Sequence, residues 1–137
     1  MTIRRKRFIL LFGFALAASS GCQGSGNPVE GKVTLDGQPL SGVHVAFFPA
    51  GASVNDPTLF RGVTDENGQY ALRNPIENST GAPQGKYRVS LTTAVAGPND
   101  DETTPLPPER VPAKYRTQEF EVPEGGTTEA NFELKSR

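Results

Sequence analysis

Apolar and polar residues alternate in short runs along most of the chain after residue 28. From Val29 to Leu35 every second residue is apolar or glycine, and the residues between them are polar. A period of two is typical of a strand with one buried face. Val43, Val45 and Phe47 repeat the pattern, and the connector from Asp36 to Gly42 is rich in turn-forming residues. The two runs therefore predict a β-hairpin whose connector is longer than two residues.

Five more segments have the pattern of strands, and none has the periodicity of a helix. No stretch after residue 22 keeps an apolar period of 3.6 for three turns. The predicted strands are 59–65, 69–73, 85–93, 118–122 and 129–135. Asn67-Gly68 is a strong turn signal and predicts a second hairpin between the first two of these. The fold class is thus all-β, an antiparallel β-sandwich of about seven strands.

The N-terminus has the layout of an export signal. Arg4 to Arg7 form a basic region, and Phe8 to Ala18 form an apolar region too short to span a bilayer. Ser19-Ser20-Gly21-Cys22 then resembles the lipobox of bacterial lipoproteins, in which the cysteine is acylated and becomes the first residue, although Ser19 replaces the usual leucine. This resemblance implies a signal peptide over residues 1–21.

Cys22 is the sole cysteine of the chain, so an exported protein of this sequence cannot form an internal disulfide. Lipidation of Cys22 gives the thiol a role and predicts membrane anchoring, at an outer membrane or a periplasmic face. The alternative is a soluble periplasmic or secreted protein, cleaved after Ala17, with a free thiol at Cys22. Residues 22–28 read as the lipidated cysteine and a flexible tether, and residues 29–137 as the domain.

Charge argues against nucleic acid as a partner. Four of the 14 basic residues lie at positions 4–7, whereas all 15 acidic residues follow Cys22. The chain from Cys22 onward therefore has ten basic and 15 acidic residues, a formal charge of −5. Because this domain also lacks a cluster of lysine and arginine, it is unsuited to binding phosphate backbones.

The segment from Ala94 to Thr117 is the least regular part of the domain. It contains five prolines and the acidic run Asp100-Asp101-Glu102. Long irregular segments in compact domains are usually functional or disordered, and we expect a solvated, mobile excursion here.

Several motifs resemble those of carboxypeptidase regulatory-like, or transthyretin-like, domains. They are the glycine- and valine-rich pattern from Val29 to Phe47, TDENGQY at Thr64 to Tyr70, GKYRV at Gly85 to Val89, and ANFEL at Ala130 to Leu134. VPAKY at Val111 to Tyr115 also resembles a segment of small bacterial lipoproteins with such domains. The resemblance implies a Greek-key sandwich and an accessory or scaffold role at the cell surface or in the periplasm, with no catalytic centre.

Candidate chemistry is sparse. His44 is the sole histidine, and no Gly-x-Ser-x-Gly elbow accompanies it, so we predict a solvent-facing histidine, no enzyme and no cofactor. One histidine and an acylated cysteine are too few ligands for zinc, and neither acidic run has the spacing of an EF-hand calcium loop. The prediction is therefore no metal site.

Phe48 and Tyr115 are the candidate interaction residues, because Phe48 falls on the outer face of its predicted strand. We expect packing or contact with an envelope protein or glycan. The alternative function is a carbohydrate-binding module that uses outer-face aromatic residues, although the chain has no tryptophan.

Overall fold

Strands dominate the part of the chain that the computed structural model describes, namely residues 27–53, 55–56 and 59–137. In chain order they are β1 (Glu30–Leu35), β2 (Gln38–Pro39), β3 (His44–Pro49), β4 (Phe60–Val63), β5 (Gln69–Ala71), β6 (Arg73–Asn74), β7 (Ser79–Thr80), β8 (Gly85–Thr92), β9 (Thr117–Val122) and β10 (Phe132–Leu134). The helical element within these ranges is a 3₁₀ turn at Ala113–Tyr115. The all-β prediction is confirmed.

The predicted signal peptide, Cys22 and the tether up to residue 26 lie outside the described residues. No helix within the described ranges is long and apolar enough to cross a bilayer. The described chain enters the fold at Asn27, which pairs with Ala82 through N–H···O bonds of 3.2 and 2.9 Å.

The larger sheet has six antiparallel strands in the order β7-β6-β4-β3-β8-β9. Its longest strand, β8, buries Tyr87, Val89 and Leu91 and exposes Lys86 and Arg88. The alternation in the sequence predicted this division, because successive side chains of a strand point to opposite faces.

The smaller sheet is organised around β1. Strand β10 lies on one side of it, and β2 and β5 pair with the two halves of its other side. The β1–β10 pair is parallel, with Val33 opposite Phe132. The N-terminal segment and the connection before β10 enter at the same end of the sheet, where Val29 is bridged to Thr127 in parallel. The sandwich is thus antiparallel with one parallel pair.

The first predicted hairpin is wrong, because β1 pairs with β2 and not with β3. Asp36 and Gly37, with φ of 51° and 81°, form a two-residue turn, and β1 reverses into the short β2. Positive φ at both central residues is what a tight hairpin of this twist requires. The chain then crosses at Ser41 and Gly42 into the larger sheet, so β1 and β3 do not pair.

The second predicted hairpin forms its turn, but only the end of its return strand pairs as predicted, with Arg73 opposite Arg61. The Gly68 N–H donates to the Asp65 carbonyl (2.9 Å), and the Asp65 carboxylate accepts the N–H groups of Asn67 and Gln69. Beyond this turn β4 stays with β3, whereas β5 joins β1 in the other sheet. The turn is therefore a corner of the sandwich.

One core joins the inner faces of both sheets. Its fully buried members include Val33, Phe47 and Leu91, and aromatic contacts bridge the sheets. The ring of Phe120 on β9 lies 6.1 Å from that of Phe132 on β10. Burial of this apolar surface is the main stabilising contribution to the fold.

The long irregular segment divides into an exposed and a folded part. Residues 98–108 are exposed, but Val111 is buried in the core. The Glu109 carboxylate accepts the N–H groups of Thr93 (2.9 Å) and Val111 (3.0 Å) and the hydroxyl of Thr92 at the end of β8. The prediction of a solvated excursion is wrong for the part around Glu109 and Val111, because side-chain hydrogen bonds hold it on the sandwich.

Candidate interaction groove

Three neighbouring strands bring polar and aromatic residues together on the outer face of the six-stranded sheet. The register places Phe48 of β3 opposite Arg88 of β8, and Arg88 opposite Glu119 of β9. Residues in one cross-strand row project to the same face, so these three side chains are neighbours. The next outward-facing pair is Lys86 and Glu121.

Phe48 points outward, as its position in the strand predicted, but its ring is covered. The residue is only 6% exposed and is not part of the core cluster. The guanidinium carbon of Arg88 lies 5.2 Å from the ring centroid, a cation–π arrangement. The Arg88 guanidinium therefore covers one face of the ring.

These residues border a cavity of about 650 Å³, here called the Phe48 groove. It is lined by residues 48–52, 86–88 and 119–121. Its lining includes four charged side chains, here called the rim: those of Lys86, Arg88, Glu119 and Glu121. No ion pair involving the four rim charges is found within the described residues. The rim can thus donate and accept hydrogen bonds to a ligand.

Strand β9 is an edge of the six-stranded sheet, and the groove ends along it. An edge strand presents unpaired N–H and C=O groups on its outer side, which an extended peptide can pair with. The exposed Glu119 and Glu121 also lie on this strand. An extended peptide paired with this edge would lie beside these two carboxylates.

Tyr115 lies elsewhere. It belongs to the 3₁₀ turn, packs half-buried against the core, and has the Lys114 ammonium 4.9 Å from its ring centroid. It does not line the Phe48 groove, so the structure does not bring the two predicted interaction residues together.

His44 is half-buried on the same outer face, opposite Val63 and Thr92. The Thr92 hydroxyl donates to Glu109. Within the described ranges, no hydrogen bond joins the His44 ring to a hydroxyl group. The same ranges contain no group of three side chains that could hold a metal ion.

Sequence reasoning identified Phe48 but missed Arg88, Glu119 and Glu109. The period of two does put Arg88 on an outer face, yet nothing local shows that it lies over Phe48. That contact depends on the register of β3 against β8, two strands separated by 35 residues of chain. Glu109 had no signal, because it lies in the irregular segment.

A second cavity, of about 580 Å³, lies against the outer side of β1 and β5. Glu30, Lys32, Asp65 and Glu133 are among its lining residues. Tyr70 also lines it, but the cation–π contacts found in the described residues involve Phe48 and Tyr115 instead. The Phe48 groove is therefore the stronger candidate.

No family model, curated protein or solved structure matches the chain. The resemblance to carboxypeptidase regulatory-like domains therefore stays a prediction.

Proposed function

We propose that this protein is an exported, lipid-anchored β-sandwich module of the cell envelope that binds a partner and catalyses no reaction. The observation that carries the proposal is the short interval between the lipobox-like Cys22 and the start of the fold at Asn27. Five residues span at most about 18 Å when fully extended. An acylated Cys22 would therefore hold the domain close to the membrane surface.

The point of chain entry decides which half of the domain would be membrane-proximal. Asn27 pairs with Ala82, shortly before β8 begins at Gly85, and the end of β3 at Pro49 lies opposite Tyr87. The Phe48 groove is in this half. Such a position favours a partner that is itself at the membrane surface.

A protein segment suits the groove better than a glycan. Sugars usually stack on open aromatic rings, but Phe48 and Tyr87 are each 6% exposed. An extended peptide can instead use the free edge of β9 and the charges of Arg88 and Glu119. We therefore propose an envelope protein as the partner, with the carbohydrate-binding module as the alternative.

Intact mass of the protein from the membrane fraction tests the anchor. We expect the wild-type chain to begin at Cys22 and to carry acyl groups, and Cys22→Ser to lose both. Ser19→Ala is the matched control, since it alters the lipobox-like segment but leaves the thiol. An unacylated wild-type chain that begins near Ala18 would contradict the anchor.

Site-specific photo-crosslinking in cells tests the groove. A photoreactive residue at position 86 should yield a defined cross-link, whereas the same residue at position 32, on the other sheet, should not. Arg88→Glu should abolish the cross-link, and the purified partner should bind this variant more weakly. Binding to a glycan array that is lost in Arg88→Ala would support the carbohydrate-binding alternative.

A further inference from the structure

Two arginines face each other on the outer side of the six-stranded sheet, away from the Phe48 groove. Arg61 of β4 is directly opposite Arg73 of β6, and both are exposed. Side chains at such positions have Cβ atoms about 4.5–5.5 Å apart, and like charges there repel. Neither arginine has an acidic partner within the described part of the chain. Both guanidinium groups are therefore available to bind an anion.

An exposed aliphatic residue stands beside this pair. Ile76, at the turn between β6 and β7, is 64% exposed. The turn is held from below by Asn74, which is 2% exposed and whose side-chain oxygen accepts the N–H groups of Ile76 (2.9 Å) and Glu77 (3.1 Å). A buried polar group that fixes the turn presents Ile76 to the outside in a defined position.

The chain also enters the fold near Arg73. Thr80 of β7 is opposite Arg73, and Ala82, two residues later, pairs with Asn27. A membrane anchor on Cys22 would therefore be tethered near Arg61 and Arg73, at the open end of the β6–β7 hairpin, whose closing turn carries Ile76. We call Arg61, Arg73 and Ile76 the basic corner.

We infer that the basic corner lies on an anionic lipid surface, with Arg61 and Arg73 at the headgroup phosphates and Ile76 in the interface. The inference deepens the proposed function, since it assigns the face that the anchored domain turns to the membrane. Arginine forms bidentate hydrogen bonds with phosphate, and an aliphatic side chain beside cations is typical of interfacial binding.

Glu77 opposes contact with an anionic surface, but two other carboxylates of the outer face lie far from the basic corner. Glu77 is the one acidic residue of the Ile76 turn, whereas Glu119 and Glu121 lie on β9 at the opposite edge of the sheet. Strand β8, which carries Arg88, is three strands from β6, about 14 Å at the usual strand spacing. The basic corner and the Phe48 groove are thus separate sites on the same outer face.

Vesicle co-sedimentation of the chain from residue 22 with Cys22→Ser tests the inference. This chain keeps every residue of the core, and circular dichroism checks its fold. We expect it to bind vesicles of phosphatidylglycerol and phosphatidylcholine, and to bind pure phosphatidylcholine much less. Arg61→Gln with Arg73→Gln should lower the partition coefficient about 10- to 30-fold, at roughly 1 kcal/mol for each arginine.

Matched variants distinguish a local site from bulk charge and hydrophobicity. Lys32→Gln with Arg137→Gln removes the same charge from β1 and from the segment after β10, and it should leave binding within about twofold, because exposed charges beyond a Debye length contribute little. Ile76→Ser should weaken binding about fivefold or more, whereas Leu106→Ser, at another exposed residue, should not.

Equal losses in the two charge variants would overturn the inference, as would no binding to anionic vesicles or equal binding to pure phosphatidylcholine. Failure of the proposed function would be seen in a different experiment from failure of this inference. It appears as an unacylated Cys22 in the mass measurement, whereas the vesicle assay uses a chain without that thiol.

Discussion

The hydroxyl group of Tyr70 donates a hydrogen bond of 2.6 Å to the carbonyl oxygen of Ala130, 60 residues further along the chain. The bond ties β5 to the segment that leads into β10, across the central strand β1 of the smaller sheet. Tyr70 is 4% exposed and Ala130 is fully buried, so water does not replace this bond freely. Burial raises the pKa of the Tyr70 hydroxyl, which keeps it protonated as a donor.

Tyr70→Phe should destabilise the fold by about 1–3 kcal/mol, because it leaves a buried carbonyl without its donor. Urea unfolding at neutral pH measures the loss. Tyr87→Phe is a matched control: the Tyr87 hydroxyl bonds the carbonyl of Pro83, an exposed residue, so water can replace the donor and the cost should be smaller. Equal costs for both variants would contradict this account.

The same site explains why Gly31 is glycine. A Cβ atom on residue 31 would lie 1.9 Å from the Ala130 carbonyl oxygen, and backbone cannot move aside as a flexible side chain can. Gly31→Ala should therefore cost at least about 2–3 kcal/mol of folding free energy. Lys32→Ala, at the adjacent outward-facing position, should change stability little. A mild effect of Gly31→Ala in urea unfolding would show that the two strands can separate without loss of packing.

The Glu109 carboxylate predicts a pH dependence of stability. Its burial raises the pKa, but hydrogen bonds from Thr92, Thr93 and Val111 outweigh that effect and lower the pKa from 4.5 to about 2. A lowered folded-state pKa stabilises the fold above the unfolded-state value, and this stabilisation is lost as the pH falls from about 4.5 towards 2.

Glu109→Gln should thus cost about 1–3 kcal/mol at pH 7, after allowance for solvent screening, and progressively less below pH 4.5. Urea unfolding of both proteins across this range gives the difference. Glu102→Gln, in the exposed part of the same segment, is the control and should not reproduce the effect. A difference that is constant with pH would show that the hydrogen bonds do not depend on the charge.

Thr64 is the polar connection between the two sheets at the corner after β4. Its hydroxyl donates to the Leu40 carbonyl (2.6 Å) and accepts the Val43 N–H (2.9 Å), and the residue is 4% exposed. Thr64→Val should cost about 2 kcal/mol or more, since it leaves both buried groups unpaired, whereas Thr64→Ser keeps the hydroxyl and should cost less. Thermal unfolding of the two variants gives this comparison, and equal losses would assign the effect to packing instead.

Part of the fold followed from short-range patterns in the sequence. The alternation in β8 predicted the buried Val89 and Leu91, and Asp36-Gly37 predicted a reversal after β1. These features are local, because the two faces of a strand and the φ angles of a turn depend on residues next to each other. The same alternation put Phe48 on an outer face.

Strand partners did not follow from such patterns. The sequence places β1 before β3 and β4 before β5, yet each of these pairs is divided between the two sheets. An alternating strand has the same pattern whichever strand lies beside it, so local residues leave the partner open. Partner choice depends on how all the strands together bury their apolar faces in one core.

The sequence alone therefore determined the all-β class, the inward faces of the strands and several turns, whereas the export signal and lipidation of Cys22 stay predictions. Only the tertiary structure decided that Arg88 covers Phe48, that Arg61 faces Arg73 beside the entry of the chain, and that Glu109 holds its segment on β8. These contacts join residues from 12 to 40 positions apart, and their geometry follows from strand register and loop closure. Neither is encoded in the period of two, because that period is unchanged when one strand slides by two residues against its neighbour.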